Sequence, residues 1–208
     1  MKFQKETVSN ENDIHGRWYG DACGAAFALE LIGERWSLLV IRELMLGPRR
    51  FSQLRAELPG ISAKILTERL GKLEEAGILE RTMLPPPAST QVYRLTPWGL
   101  STEPIMQEMG RWAVQSSAHN PMLPLTSVAF MLSLRTMFDH ETAKGMETSV
   151  LFDFGDERFH AHLHDGVLDA RRADEEETAD IVFHAPSASA CLPVFYGKQP
   201  LDGHGMKL

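Results

Sequence analysis

Three sets of residues in this sequence have types and spacing that could do chemistry. The first is Ser62-Ala63-Lys64 followed by Thr67-Glu68-Arg69, with Arg49-Arg50 upstream. Short polar side chains on the first turns of one helix can reach base edges in a DNA major groove. There Ser62 and Thr67 offer hydroxyls, Lys64 donates to guanine and Glu68 accepts from cytosine, each good pair being worth about 1–3 kcal/mol of discrimination. Arg49, Arg50 and Arg69 suit phosphates, which supply affinity and register but no sequence information. Ser89, Thr90 and Gln91, further on, would touch DNA backbone or minor groove. The second set is a lone thiol, Cys23, at what reads as the start of a helix, where the helix dipole favours a thiolate; a small packed side chain fits that position as well. The third is His160-Ala161-His162-Leu163-His164. On a strand the three imidazoles share a face and could share a metal. Phe159, Ala161 and Leu163 alternate with them as in any half-buried strand, and spacing fixes no carboxylate or cysteine nearby, so no metal is assigned. Neither a G-x-S-x-G elbow nor a phosphate loop occurs, so the chain is read as not an enzyme and no cofactor is expected.

The formal charge of −7, spread evenly, would argue against a polyanionic partner, but it is unevenly placed. Up to Ala118 there are 14 basic and 14 acidic residues, and from His119 there are 7 basic and 14 acidic. Between Arg35 and Lys72, 8 basic residues face Glu43, Glu57 and Glu68, a local +5. The acidic half would repel DNA and is expected to point away from the duplex. Cys23 and Cys191 are too few for a disulfide framework. No apolar run approaches the roughly 18 residues that span a bilayer, and the N-terminus lacks an apolar signal core, so a cytoplasmic protein with no membrane partner is expected.

The elements that must position these groups are marked by punctuation. Residues 1–20 are polar and read as an arm. Ala22 to Ile32 has a helical pattern stopped by Gly33, and Arg35 to Leu46 is apolar almost all round, as a central core helix is. Ser52 can cap a short helix broken by Pro59-Gly60, and Ser62 can cap another running to about Ala76, stopped by Gly77. Leu66, Leu70 and Leu73 then form one buried stripe, leaving Lys64, Thr67 and Glu68 on the other side. Two strand-like runs around Pro85-Pro86-Pro87 read as a hairpin, and Thr96-Pro97 opens a helix with Trp98, Ile105, Met109 and Trp112 as its stripe and Pro104 as a kink. This is the order of a winged helix-turn-helix. Its domain is expected over 21–118, followed by a linker over 119–124 and an α+β unit over 125–208. That unit shows an amphipathic segment to Phe138, then strand-like runs at Thr148–Phe154, Arg158–His164, Val167–Arg171 and Ile181–His184, read as an antiparallel sheet. The fold class is α+β.

The run from Cys23 to Trp112, carried by "CGAAFALELIGERWSLLVIRELMLGPRRFSQLRAELPGISAKILTERLGKLEEAGILER", "PPASTQVYRLTPWG" and "GRW", resembles the HxlR-type winged-helix regulators of bacteria. The resemblance implies transcription regulation by a homodimer on an inverted-repeat operator. It places the recognition surface on Ser62, Lys64 and Thr67, phosphate contacts on Arg49 and Arg50, and the dimer interface on the first helix and the helix after the wing. Phe27, Leu31, Ile105, Met109 and Trp112 are its candidates. Cys23 falls where many members of that family carry a cysteine, some of them sensing oxidants or electrophiles. Leu132 to Gly197 is similar to sterol-carrier-protein-type domains, which implies an apolar cavity for a small-molecule effector, lined by Phe130, Met131, Leu134, Met137, Phe138, Phe152, Phe154, Phe183 and Phe195. After Pro200-Leu201 the sequence is shorter than such domains, which would leave a sheet edge for a partner subunit to cover. The competing reading is an apolar-ligand-binding protein whose helical half serves only for dimerisation.

Overall fold

A computed structural model describes residues 19–121, 123–201 and 205–207; the polar arm therefore lies outside the described residues, apart from Tyr19 and Gly20. Four helices come first: α1 (Gly24–Ile32), α2 (Ser37–Leu44), α3 (Phe51–Glu57) and α4 (Ala63–Glu75). α2 forms where the sequence is most apolar, and its Val40, Ile41 and Leu44 are fully enclosed. α3 starts two residues earlier than a Ser52 cap would place it. Arg50 is its N-cap, and the Gln53 side chain accepts from the Arg50 N–H at 2.9 Å. Ser62 caps α4 as its sequence position suggests, its hydroxyl accepting from the Ile65 N–H at 3.2 Å. Leu66, Leu70 and Leu73 turn inward, and Gly77, at φ 72°, takes the left-handed turn that ends the segment.

The hairpin follows as β1 (Leu79–Met83) and β2 (Gln91–Leu95), antiparallel with Leu79 opposite Leu95. Thr96 caps α5 (Pro97–Leu100), its hydroxyl accepting from the Gly99 N–H at 3.1 Å. Gly99 lies so close to the hairpin that a Cβ there would stand 2.0 Å from the Ile78 carbonyl oxygen. The expected single kinked helix is instead two: after Ser101-Thr102, α6 (Glu103–Ala113) starts afresh. Pro104 sits in its first turn, where a missing N–H costs nothing, so proline opens this helix rather than bending it. Trp98 is thereby separated from the stripe of Ile105, Met109 and Trp112.

In the second half Thr126 caps α7 (Ser127–Thr136), its hydroxyl accepting from the Ala129 N–H at 3.1 Å. Four strands, β3 (Thr148–Asp153), β4 (Arg158–His164), β5 (Val167–Arg172) and β6 (Ile181–His184), form one sheet in the order β5-β4-β3-β6. Two of its pairings are antiparallel, but β6 runs parallel to β3, so the sheet is mixed and not the purely antiparallel one expected. The cause is connectivity. β5 occupies one edge, and the chain over 173–180 crosses to the opposite edge, where the Asp180 carboxylate accepts from the Ser149 N–H and hydroxyl, both at 2.7 Å. The free side of β6 is met by Lys207 of the same chain through two backbone hydrogen bonds with His184, of 2.8 and 3.0 Å, in place of the partner subunit expected there. A 3-10 turn (Ala188–Cys191) and α8 (Leu192–Phe195) complete the unit.

Phe130 of α7 meets Phe152, Phe154 and Phe195 edge to face, with centroids 5.9, 5.9 and 5.3 Å away. Phe130, Phe154 and Phe183, expected to line a cavity, are thus packed ring on ring with their neighbours. Leu134, Met137, Phe138, Phe152 and Phe195 do border a small cavity of about 330 Å³ at the end of α7. The two halves do not keep separate cores: buried side chains form one connected cluster that includes Leu31, Leu44 and Leu70 from the first half and Phe130, Phe159 and Cys191 from the second.

That continuity is testable because all four tryptophans lie before residue 119. Phe130→Ala should cost about 3–5 kcal/mol, and the loss should register in a urea transition followed by tryptophan fluorescence. An unchanged fluorescence midpoint, beside a lowered circular-dichroism midpoint, would show that the halves unfold separately.

Candidate nucleic-acid interface

The first turns of α4 project from the core because the leucine stripe holds the opposite face inside. Ser62, Lys64, Thr67 and Glu68 are exposed there. Lys64 forms no ion pair with the described residues. Thr67 turns its hydroxyl back to donate to the Ala63 carbonyl at 2.9 Å, which leaves its methyl and the oxygen's acceptor side toward solvent. Glu68 is partly engaged, with its carboxylate 3.3 Å from Arg69 and 3.6 Å from Lys72.

Arg69 is not where a phosphate contact needs it. It is 8% exposed; its Nε donates to the Arg35 carbonyl at 3.1 Å, and its guanidinium pairs with Glu34 and Glu68. Lys72 also pairs with Glu34. These bonds tie α4 to the turn between α1 and α2 and set the angle at which it leaves the domain. Arg69 therefore orients the surface without forming part of it.

Arg49 likewise departs from expectation. It is 7% exposed and is fixed at both backbone atoms to Tyr93, through bonds of 2.9 and 2.8 Å. Its guanidinium pairs with Glu157, in the turn between β3 and β4, and the same carboxylate accepts from Arg172 of β5 at 2.8 Å. Burial, reinforced by the neighbouring Arg172 charge, brings the Arg49 guanidinium down to about 10, and burial brings Arg172 to about 10. Instead of standing wholly away from the helix-turn-helix, the acidic half enters it here. Beside this contact, Glu43 of α2 is completely buried, takes Arg42 at 2.6 Å and accepts from the Thr126 hydroxyl at 2.9 Å. Burial holds its carboxyl above the usual range, against the opposing pull of Arg42.

The local +5 is thus divided. Arg42, Arg49, Arg69 and Lys72 are held by carboxylates, whereas Arg50, Arg55 and Lys64 make no ion pair with the described residues and are exposed; Arg35 lies over the Trp36 ring at 5.3 Å. Arg55, on the outer face of α3, belongs with Arg50 and Lys64 in this surface. The count of basic residues includes it, but no motif singles it out. In the wing, Arg81 is bound by Glu74 and Arg94 by Glu80, leaving the tip polar and uncharged: Thr90 donates to the Ala88 carbonyl at 2.6 Å, and Ser89 and Gln91 are exposed.

Cys23 is the N-cap of α1 and is exposed, and the Ala26 and Ala25 amides that face its sulfur lower its thiol below the usual range. Cys191 is fully enclosed, and burial pushes it up to about 12. Of the interface candidates, Phe27, Ile105, Met109 and Trp112 are 38, 45, 47 and 76% exposed, whereas Leu31, at 8%, belongs to the core. His160, His162 and His164 share a face of β4, with His164 3.0 Å from Asp169. No group of three or more metal-ligating side chains occurs among the described residues, nor does any helix there have the length and apolarity to cross a membrane.

Residues 31–121 match the family model described as HxlR-like helix-turn-helix. The HTH-type transcriptional regulator YodB of Bacillus subtilis is 43% identical over 88 residues, 42% of this chain and 79% of that protein. The HTH-type transcriptional regulator sll1512 of Synechocystis is 37% identical over 108 residues, 50% of this chain and 80% of that one. Among solved structures, the reduced form of YodB is 39% identical and covers 47% of this chain and 97% of its own, with a TM-score of 0.43.

Two outcomes follow from the side-chain environments. Glu157→Ala strands two largely buried guanidiniums and should cost about 3–5 kcal/mol in a denaturant titration, whereas Arg50→Ala should stay within about 0.5 kcal/mol; equal effects would mean that the ion pair is not buried in solution. Iodoacetamide at neutral pH should label Cys23 in the folded protein and Cys191 only after unfolding, as peptide mass spectrometry would show.

Proposed function

The chain belongs to the HxlR-like helix-turn-helix family, and from that premise we propose that it is a DNA-binding transcriptional regulator acting as a homodimer on an inverted-repeat operator. The observation that carries this reading is the exposed first half of α4, with Lys64 unpaired among the described residues and Ser62, Thr67 and Glu68 beside it. In the proposed complex Lys64 and Thr67 meet base edges. Arg50 and Arg55 meet phosphates, and the wing tip at Ser89, Thr90 and Gln91 tracks the adjoining backbone. Arg49 and Arg69 act indirectly, by fixing the frame from which α4 projects.

The dimer is proposed through the outer faces of α1 and α6. Phe27 and Leu29 on one, and Ile105, Met109 and Trp112 on the other, leave large apolar side chains in solvent. A two-fold arrangement would present the two α4 helices to half-sites about 10 bp apart. Cys23 borders the α1 face. Its lowered thiol and exposure support a second part of the proposal, that oxidation or an electrophile at Cys23 changes how the two subunits meet.

An unbiased selection of duplexes should return a palindromic sequence. On that duplex Lys64→Ala should weaken binding by roughly 5- to 150-fold and relax preference at one base pair of each half-site. Arg50→Ala and Arg55→Ala should weaken all duplexes alike and flatten the salt dependence, by about one unit of slope for each phosphate left without its cation. Recovery of no preferred sequence, with duplex binding untouched by all three substitutions, would sink the reading.

A further inference from the structure

We propose that the groove enclosed by α6, α7, α8 and the segment joining the two halves is a binding site for a neutral, predominantly apolar small molecule. Its volume is about 890 Å³, within the range of about 300–1,000 Å³ usual for small-molecule pockets. Met106 of α6 and Val114 just after it form one wall, Leu132 of α7 and Met137 just after it another, and Leu192 of α8 and Leu125 of the joining segment close it. It is distinct from the place beneath the sheet, where the phenylalanines pack against one another.

The charges around the groove are already balanced within the chain. Arg111 pairs with Glu108 and donates to the Thr136 carbonyl at 2.9 Å, Arg135 lies 3.2 Å from Glu103, and Arg42 is held by Glu43. What remains for a ligand is a polar handle that chiefly accepts: the Ser133 hydroxyl donates to the Phe130 carbonyl at 2.7 Å and takes the Tyr196 hydroxyl at 2.6 Å, and the Gln107 amide nitrogen donates to Glu103 at 2.9 Å, which leaves the Tyr196 hydroxyl oxygen and the Gln107 carbonyl oxygen. Such a lining favours a neutral molecule with a hydroxyl or N–H at one end and disfavours an ion, whose desolvation no free charge would offset.

Gly110 is the second, independent observation. Glycine is disfavoured inside a helix, and here it stands in the middle of α6 on the groove wall. A Cβ built on it meets nothing within 4 Å, so close packing within the chain does not explain it. Its lack of a side chain keeps the groove open. At 100° per residue, Met106, Gly110 and Val114 are centred about 130° around the helix axis from Ile105, Met109 and Trp112, with Met106 and Met109 at the shared margin. A second copy of the chain centred on the outer stripe would face away from Gly110 and Val114, and this favours a small molecule as the occupant of that part of the groove.

The proposal deepens the regulator reading and rests on it only for the regulatory consequence: a ligand wedged between α6 and α7 would move the helix that carries the dimer stripe. Binding itself is measured without DNA, so the two fail separately. The probe is N-phenyl-1-naphthylamine, an uncharged fluorophore that brightens in apolar sites, titrated into the full chain. One saturable site per chain is expected, weakened at least tenfold by Gly110→Leu, which raises helix propensity and fills the groove, and unchanged by His162→Ser on β4, away from the groove. Should Gly110→Leu lose its native circular dichroism, Ser133→Leu places bulk from the opposite wall and carries the same expectation. The proposal is overturned by non-saturable binding, by groove variants that bind as the parent does, or by a loss of binding in His162→Ser as large as in the groove variants. It also falls if Gly110→Leu lowers the oligomeric mass in solution together with probe binding, which would make a second copy the occupant.

Discussion

A single carboxylate, Glu157, lies between two guanidiniums that come from opposite halves of the chain, Arg49 and Arg172. Both cations are largely withdrawn from water, and each is brought down to about 10 chiefly by burial. Buried charges survive only when paired, so wherever the turn between β3 and β4 goes, the segment before α3 must go with it. Glu43 imposes the same condition one turn away: completely buried on α2, it depends on Arg42 and on a hydroxyl from the start of α7. Such contacts give little net stability over an apolar equivalent. Their value is geometric, since any other docking of the halves leaves a charge stranded, and the continuous apolar core then packs around the position they define.

The division of the basic residues follows from this. Cations that organise the fold face inward or along the surface toward carboxylates, and those left over, Arg50, Arg55 and Lys64, flank the outer face of α3 and α4. A count of charge in the window overstates the field available to a polyanion, yet it places that field correctly. Arg69 shows why the distinction matters: its bonds to the Arg35 carbonyl and to Glu34 decide the direction in which its exposed neighbours point.

Much of this was legible before any coordinates, and the reasons are local. Ser62, Thr96 and Gly77 mark boundaries through hydrogen bonds or dihedral angles within a few residues, so their signal is complete in the sequence. The leucine stripe of α4 and the alternation of β4 are likewise written in periodicity. What escaped depends on residues far apart. Nothing near Arg49 announces Glu157, 108 positions away. The parallel pairing of β6 with β3 turns on which sheet edge remained open. Pro104 is ambiguous in principle, since a proline can kink a helix or open one, and the choice falls to the turn at Ser101-Thr102. Gly110 carried a signal that could have been read, a glycine inside an amphipathic helix with no turn to make.

The Thr126 hydroxyl serves two masters: it accepts from the Ala129 amide at the start of α7 and donates to Glu43 in the other half. Whether that amide stays protected thus depends on whether the halves remain docked, because separating them releases the hydroxyl from the carboxylate that orients it. In hydrogen–deuterium exchange the Ala129 amide therefore reports on the one hydroxyl that both caps α7 and reaches across to Glu43.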